Sequence, residues 1–84
     1  MTPTFTMFVY ERVTPSVKAG RRFPAERTAD GEYRATVTGP VENADGVDLE
    51  VERRDGARAA LWEAPLHRPI LEADEVMFTT PERP

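Results

Sequence analysis

Three Asp-Gly pairs punctuate this chain: Asp30-Gly31, Asp45-Gly46 and Asp55-Gly56. Both residue types tolerate positive φ, the backbone setting that lets a tight hairpin match the twist of its strands. Each pair lies between runs of period two, the strongest short-range hairpin signal a sequence carries. A chain punctuated in this way is expected to fold as short antiparallel strands joined by three tight hairpins.

The clearest run is Val47–Glu52. Val47, Leu49 and Val51 alternate with Asp48, Glu50 and Glu52, the pattern of a half-buried antiparallel strand. Glu32–Thr38 repeats it, with Tyr33, Ala35 and Val37 facing inward. Arg21–Thr28 reads as extended, but Pro24 cannot donate to a ladder, so this run is expected at an edge or to end abruptly. Thr4–Val13 differs from the rest. Phe5, Met7 and Val9 share one face while Phe8 and Tyr10 share the other. A strand apolar on both faces is either central and covered twice, or it meets a partner. Thr14-Pro15-Ser16 then breaks the chain. Ala57–Ala64 has four alanines that would also suit a helix, yet Asp55-Gly56 and Pro65 confine it to eight residues, the length of a strand. Ile70–Asp74 is read as one helical turn before a last strand, Glu75–Thr79, and residues 80–84 as a polar, fraying tail. The expectation is an all-β domain over residues 1–84: five or six antiparallel strands curled into a small barrel, with a short helical turn before the last strand.

Residues 17–72 resemble the Tudor/Agenet type of SH3-like barrel. The resemblance is carried by Val17-Lys18-Ala19-Gly20-Arg21-Arg22-Phe23, by Asp30-Gly31-Glu32-Tyr33-Arg34-Ala35-Thr36-Val37, and by Val47–Glu52 followed by Asp55-Gly56. It implies a glycine entry into the first barrel strand, two Asp-Gly hairpins and a helical turn before the last strand. Readers of methylated side chains in that family use a cage of aromatic rings. Only Tyr33 matches a cage position here. The other positions fall near Arg27, Glu52 and Asp55, none of which has a ring, so the resemblance implies the fold without the methyl-reading activity. The family has no counterpart to Thr4–Val13.

Composition narrows the chemistry. Leu, Ile, Val and Phe make up only 17 of 84 residues, so the core is small and its order decides whether the chain folds. The absence of Cys removes disulfides, thiol nucleophiles and cysteine zinc sites. The longest apolar runs are four residues, Met7–Tyr10 and Ala59–Trp62. A spanning helix needs about 20. With no signal-peptide pattern at the start, the expected location is the cytoplasm. The net charge of −4 divides into +3 over residues 1–28 and −7 over residues 29–84.

Few residues carry reactive chemistry. His67 is the only His, and Ser16 and Lys18 are the only Ser and Lys. Nothing places partners around His67, so neither a catalytic triad nor a metal site is expected. Residues 41–52 approach a calcium-loop pattern with Asn43, Asp45, Gly46 and Glu52, but its first ligand position is Val41, which favours a hairpin turn. No cofactor, metal or small-molecule substrate is expected, and no enzymatic activity.

Three surfaces remain as candidates. Lys18, Arg21, Arg22 and Arg27 form a basic patch around Phe23, the composition of a nucleic-acid-binding barrel. Asp48, Glu50 and Glu52 form an acidic strand face, read as solvated charge opposite Arg34 and Arg58. Phe8, Tyr10, Tyr33 and Trp62 are the aromatic interaction candidates, with Trp62 facing outward if Leu61 faces the core. The reading these support is a non-catalytic protein-interaction or assembly module, by analogy also a phage accessory, inhibitor or virion-associated protein. Its partner is a protein or a second copy. The alternative is a nucleic-acid-binding small barrel using the basic N-terminal third.

Overall fold

The two-sided apolar segment becomes an interior strand of one antiparallel sheet. A computed structural model describes residues 4–66 and 68–79. Its strands are β1 (Thr4–Thr14), β2 (Val17–Ala29), β3 (Glu32–Thr36), β4 (Gly46–Glu52), β5 (Arg58–Pro65) and β6 (Glu75–Thr79). Their order is β5-β4-β1-β2-β3-β6, every pairing is antiparallel, and no helix occurs among the described residues. His67 and the 80–84 tail lie outside the described residues.

One face of the sheet carries the core. Met7 stands opposite Phe23 on β2 and Leu49 on β4, and Val9 stands opposite Val47. All five are buried, together with Ala35 and Val76 from the paired strands β3 and β6. Val47 and Leu49 alternate onto this face as expected, and so do Ala35 and Val37, with Val51 and Tyr33 only partly buried; the expected half-buried character of β4 fails, because Asp48 and Glu50 on its other face are buried as well. The remaining core side chains come from connections rather than strands. Val37, Val41 and Ala44 lie between β3 and β4, and Ile70 between β5 and β6. Val41 and Ile70 bond to each other through both amides, at 2.7 and 2.9 Å.

These connections explain why the sheet is not closed into a barrel. β5 and β6 are its two ends, and their neighbours in the sheet are β4 and β3. The apolar face is covered by residues 37–44 and by Leu66 and Ile70, so closure of the ladder is not needed to bury it.

Turns decide three further differences. Asp30-Gly31 and Asp55-Gly56 are hairpin turns, with Gly31 at φ 72° and Gly56 at φ 84°. At the second, the Arg53 amide donates to the Ala57 carbonyl at 2.7 Å and the Gly56 amide to the Arg53 carbonyl at 3.0 Å. The third tight hairpin is Pro15-Ser16 between β1 and β2, not Asp45-Gly46. Asp45 instead joins three segments. Its amide donates to the Tyr10 carbonyl at 2.8 Å, its carbonyl accepts from the Leu66 amide at 2.8 Å, and its carboxylate accepts from the Arg12 amide. The helical turn expected at Ile70–Asp74 is a β-turn: the Asp74 amide donates to the Leu71 carbonyl at 3.1 Å, and Ala73 has φ 67°. Pro24 does not mark an edge. β2 runs through it between β1 and β3, but pairing with β3 begins only at Ala25–Ala35, so the missing amide interrupts no β3 ladder.

Gly20 shows how closely β1 and β2 approach. A Cβ at this position would lie 2.0 Å from the Val9 carbonyl oxygen and 2.6 Å from Tyr10 Cα. Both are backbone atoms, so the ladder itself would have to shift. Gly20→Ala is expected to lower stability by about 1–2 kcal/mol, measured as an earlier urea midpoint at unchanged slope.

A candidate interaction surface

The face of β1 opposite the core carries Thr6, Phe8 and Tyr10, all buried. Their cover comes from the chain itself. Tyr10 stands between Gly20 on β2 and Gly46 on β4. A Cβ at Gly46 would lie 2.3 Å from the Tyr10 hydroxyl, so this glycine provides space for the ring. Lys18 reaches over the ring with Nζ 4.4 Å from its centroid. It goes on to contact Asp48 Oδ2 at 3.1 Å and Glu63 Oε2 at 2.7 Å. One side chain from β2 thus crosses β1 and ties down β4 and β5.

A second rung runs parallel to the first. The Arg22 guanidinium lies 4.2 Å from the Phe8 ring centroid, and its Nε donates to Glu50 Oε1 at 3.0 Å. Phe8 and Tyr10 are themselves 5.7 Å apart. A cation over a ring face, anchored at its far end by a carboxylate, seals an apolar sheet face without a second layer of chain.

The Lys18 rung is electrostatically loaded. Asp48 and Glu63 stand directly opposite each other on β4 and β5. Burial holds the Asp48 carboxyl above its usual range, against the lowering effect of Lys18. The hydrogen bond from Lys18 holds Glu63 below its usual range, and the same bond raises Lys18. Burial also raises the Tyr10 hydroxyl. Asp48 Oδ1 is buried with no hydrogen-bond partner among the described residues, which adds to the cost of keeping this carboxylate inside.

The sequence candidates therefore separate. Phe8 and Tyr10 lie beneath cations, and Tyr33 packs edge-on against Phe5 at 5.0 Å on the core side. Asp48 and Glu50 are buried ion-pair partners of Lys18 and Arg22, whereas Arg34 pairs with Glu26 at 2.7 Å; Glu52 is exposed opposite Arg58. Of the basic patch, Lys18, Arg22 and Arg27 each face a carboxylate, the last being Asp30. Arg21 lies against Gly39 and beside a shallow cleft that Glu11 and Glu42 also line. Among the described residues no group of three or more His, Cys, Asp or Glu is placed to hold a metal ion.

Trp62 remains exposed. It lies on β5, at one end of the sheet, beside Leu61, and the two are 44% and 48% exposed. The expected division, one facing in and one out, fails because the β4–β5 register shifts between Leu49 and Glu50. Trp62 pairs with Leu49 and Ala60 with Glu50, leaving Leu61 as the extra residue of a bulge. A bulge suspends the period-two rule at the place where both large side chains stand. No sequence signal marks it, since it depends on the register with β4. Compared with family models, curated proteins and solved structures, the chain matches none of them.

Proposed function

We propose that the chain is a non-catalytic protein-binding or assembly module whose contact is the β5 edge, anchored by Leu61 and Trp62. The observation that carries this reading is their position. An indole and a leucine stand exposed side by side on a terminal strand. Trp is the residue most enriched among interface anchors, and an end strand leaves backbone groups unpaired. At the centre of the sheet, Met7–Tyr10 of β1 are covered on both faces by the chain's own loops and cations. The other large apolar side chains exposed on the sheet among the described residues, Val13, Val17 and Met77, stand on strands that carry no Trp. The Asp30-Gly31 hairpin and the alternating β4 support kinship in architecture with Tudor-type domains, but Tyr33 is engaged with Phe5, which leaves no aromatic cage in the reading. Nucleic-acid binding ranks behind it, because carboxylates neutralise most of the basic patch.

The test is capture from an extract of the source cells with the immobilised chain and with a Leu61→Ser/Trp62→Ser variant. The expected result is one or more proteins retained by the native chain and lost with the variant. Equal recovery by both would remove the β5 edge as the contact.

A further inference from the structure

Resting on the reading of β5 as the contact edge, we propose that its partner is a second copy of this chain, joined antiparallel through β5 about a two-fold axis at Ala60. The backbone of β5 sets which residues can pair across the open edge. Arg53 donates to the Ala57 carbonyl across the β4–β5 turn. Bonded and non-bonded pairs alternate along an antiparallel ladder. The next pair, Glu52–Arg58, is therefore non-bonded, and Arg58 turns its N–H and C=O away from β4. β4 carries no extra residue, so the same holds at every second position along it: Glu50–Ala60 and Asp48–Glu63. Arg58, Ala60 and Glu63 thus present their backbone groups to the open edge.

The side chains then choose the register. Glu52, Glu50 and Asp48 share the outer face, so their partners Arg58, Ala60 and Glu63 do too. A two-fold axis normal to the sheet at Ala60 sets Arg58 of each copy opposite Glu63 of the other. Centring the axis on Glu63 would oppose two carboxylates, and centring it on Arg58 would oppose two guanidinium groups. Centring on Ala59 or Trp62 brings no opposite charges face to face. Of the two-fold registers centred on residues 58–63, the Ala60 register alone is charge-complementary, and it is so twice.

Both charges are available for it. Arg58 is exposed and makes no ion pair among the described residues. Glu63 accepts from Lys18 through Oε2, and its side chain is 53% exposed. On the core-side face, Ala59 and Trp62 lie opposite Val51 and Leu49, and the same register sets each Trp62 against Ala59 of the second copy. That pair is a non-bonded one, where side chains approach most closely, and alanine leaves room for the indole. The bulge at Leu61 is what makes this self-pairing consistent: it brings Arg58 and Glu63, five positions apart, onto one face.

The experiment is sedimentation equilibrium over a concentration series at physiological salt for the native chain, Arg58→Glu, Glu63→Arg and an equimolar mixture of the two variants. The native chain is expected to dimerise, and each variant to dissociate with a constant raised about tenfold or more, since two attractive pairs become repulsive. The mixture is expected to recover the native constant, because each copy then supplies the charge the other lacks. Circular dichroism checks that the variants fold. If Glu63→Arg does not, Arg58→Glu, which disturbs no internal ion pair, decides alone. A native chain that stays monomeric, a dimer indifferent to Arg58→Glu, or a mixture that fails to recover would each overturn the proposal. Loss of self-association with capture of another protein still dependent on Leu61 and Trp62 would leave the protein-binding reading standing.

Discussion

Phe23→Ala is expected to unfold a large share of the molecules at room temperature. A chain of 84 residues has a total stability of about 4–13 kcal/mol, and one this small with few large apolar residues belongs toward the low end. Removing a core phenylalanine costs about 3–5 kcal/mol. Phe23 is among the largest fully buried side chains, and it stands opposite Met7 at the centre of the sheet. Its loss would leave a void between β2 and β1 that the loop residues Val41 and Ile70, held by their paired hydrogen bonds, are poorly placed to fill. Urea unfolding followed by circular dichroism should show the transition moved to near zero denaturant. Val17→Ala, at an exposed position beside the β1–β2 turn, should stay within about 0.5 kcal/mol of the native chain. Equal shifts for the two substitutions would mean that the core is not where the sheet places it.

What the sequence made legible was local. The core-facing Val47 and Leu49 and the positive-φ glycines Gly31 and Gly56 depend only on neighbouring residues, and both were read correctly, although the acidic face of the same strand was expected in water and is buried at Asp48 and Glu50. Asp45-Gly46 carries the same two letters but serves another purpose: Gly46 is small because the Tyr10 ring lies over it, and that ring comes from a strand 36 residues away in sequence. A glycine required for space and a glycine required for φ look identical in a sequence. The two-sided apolar character of β1 was also visible, together with the alternatives of double cover or a partner. Which alternative holds depends on β1 lying between β2 and β4, since only then do Lys18 and Arg22 span the rings to reach Asp48 and Glu50. Barrel closure was expected from short strands and tight hairpins in so small a chain and from the resemblance to a barrel family, and it fails because two connections supply the apolar cover that a closed ladder would have supplied. At the candidate contact, Trp62 was recognised but its setting was not. The bulge that exposes Leu61 beside it belongs to the β4–β5 register, which no local pattern in β5 specifies.

Lys18→Met should show whether the strap across β1, β4 and β5 acts by charge or by packing. Methionine keeps an apolar stem for the Tyr10 ring and removes the ammonium. At neutral pH the variant then holds Asp48 opposite Glu63 with no cation between them, and Asp48 is largely buried. Breaking a fully buried ion pair costs about 3–5 kcal/mol; because Glu63 is half exposed and water screens it, a loss of about 2–3 kcal/mol at pH 7 is the expectation here. The pH dependence follows from opposite shifts. The Asp48 carboxyl is raised in the folded chain, so its ionisation opposes folding, and that penalty grows as pH rises from the unfolded value through the folded one. The Glu63 carboxyl is lowered, so its contribution is present above the unfolded value and lost as pH falls through the folded one. In the native chain the two trends offset each other. Without Lys18, Glu63 loses the main cause of its lowering, and Asp48 loses the interaction that restrained its rise. The variant should therefore recover much of the lost stability as pH is lowered toward about 4, where carboxyl protonation removes the repulsion. Lys18→Met/Asp48→Asn should recover it at pH 7 as well, because the amide can donate to Glu63. A loss that is the same at both pH values, or is untouched by the second substitution, would assign the strap to packing of the lysine stem over Tyr10 and not to its charge.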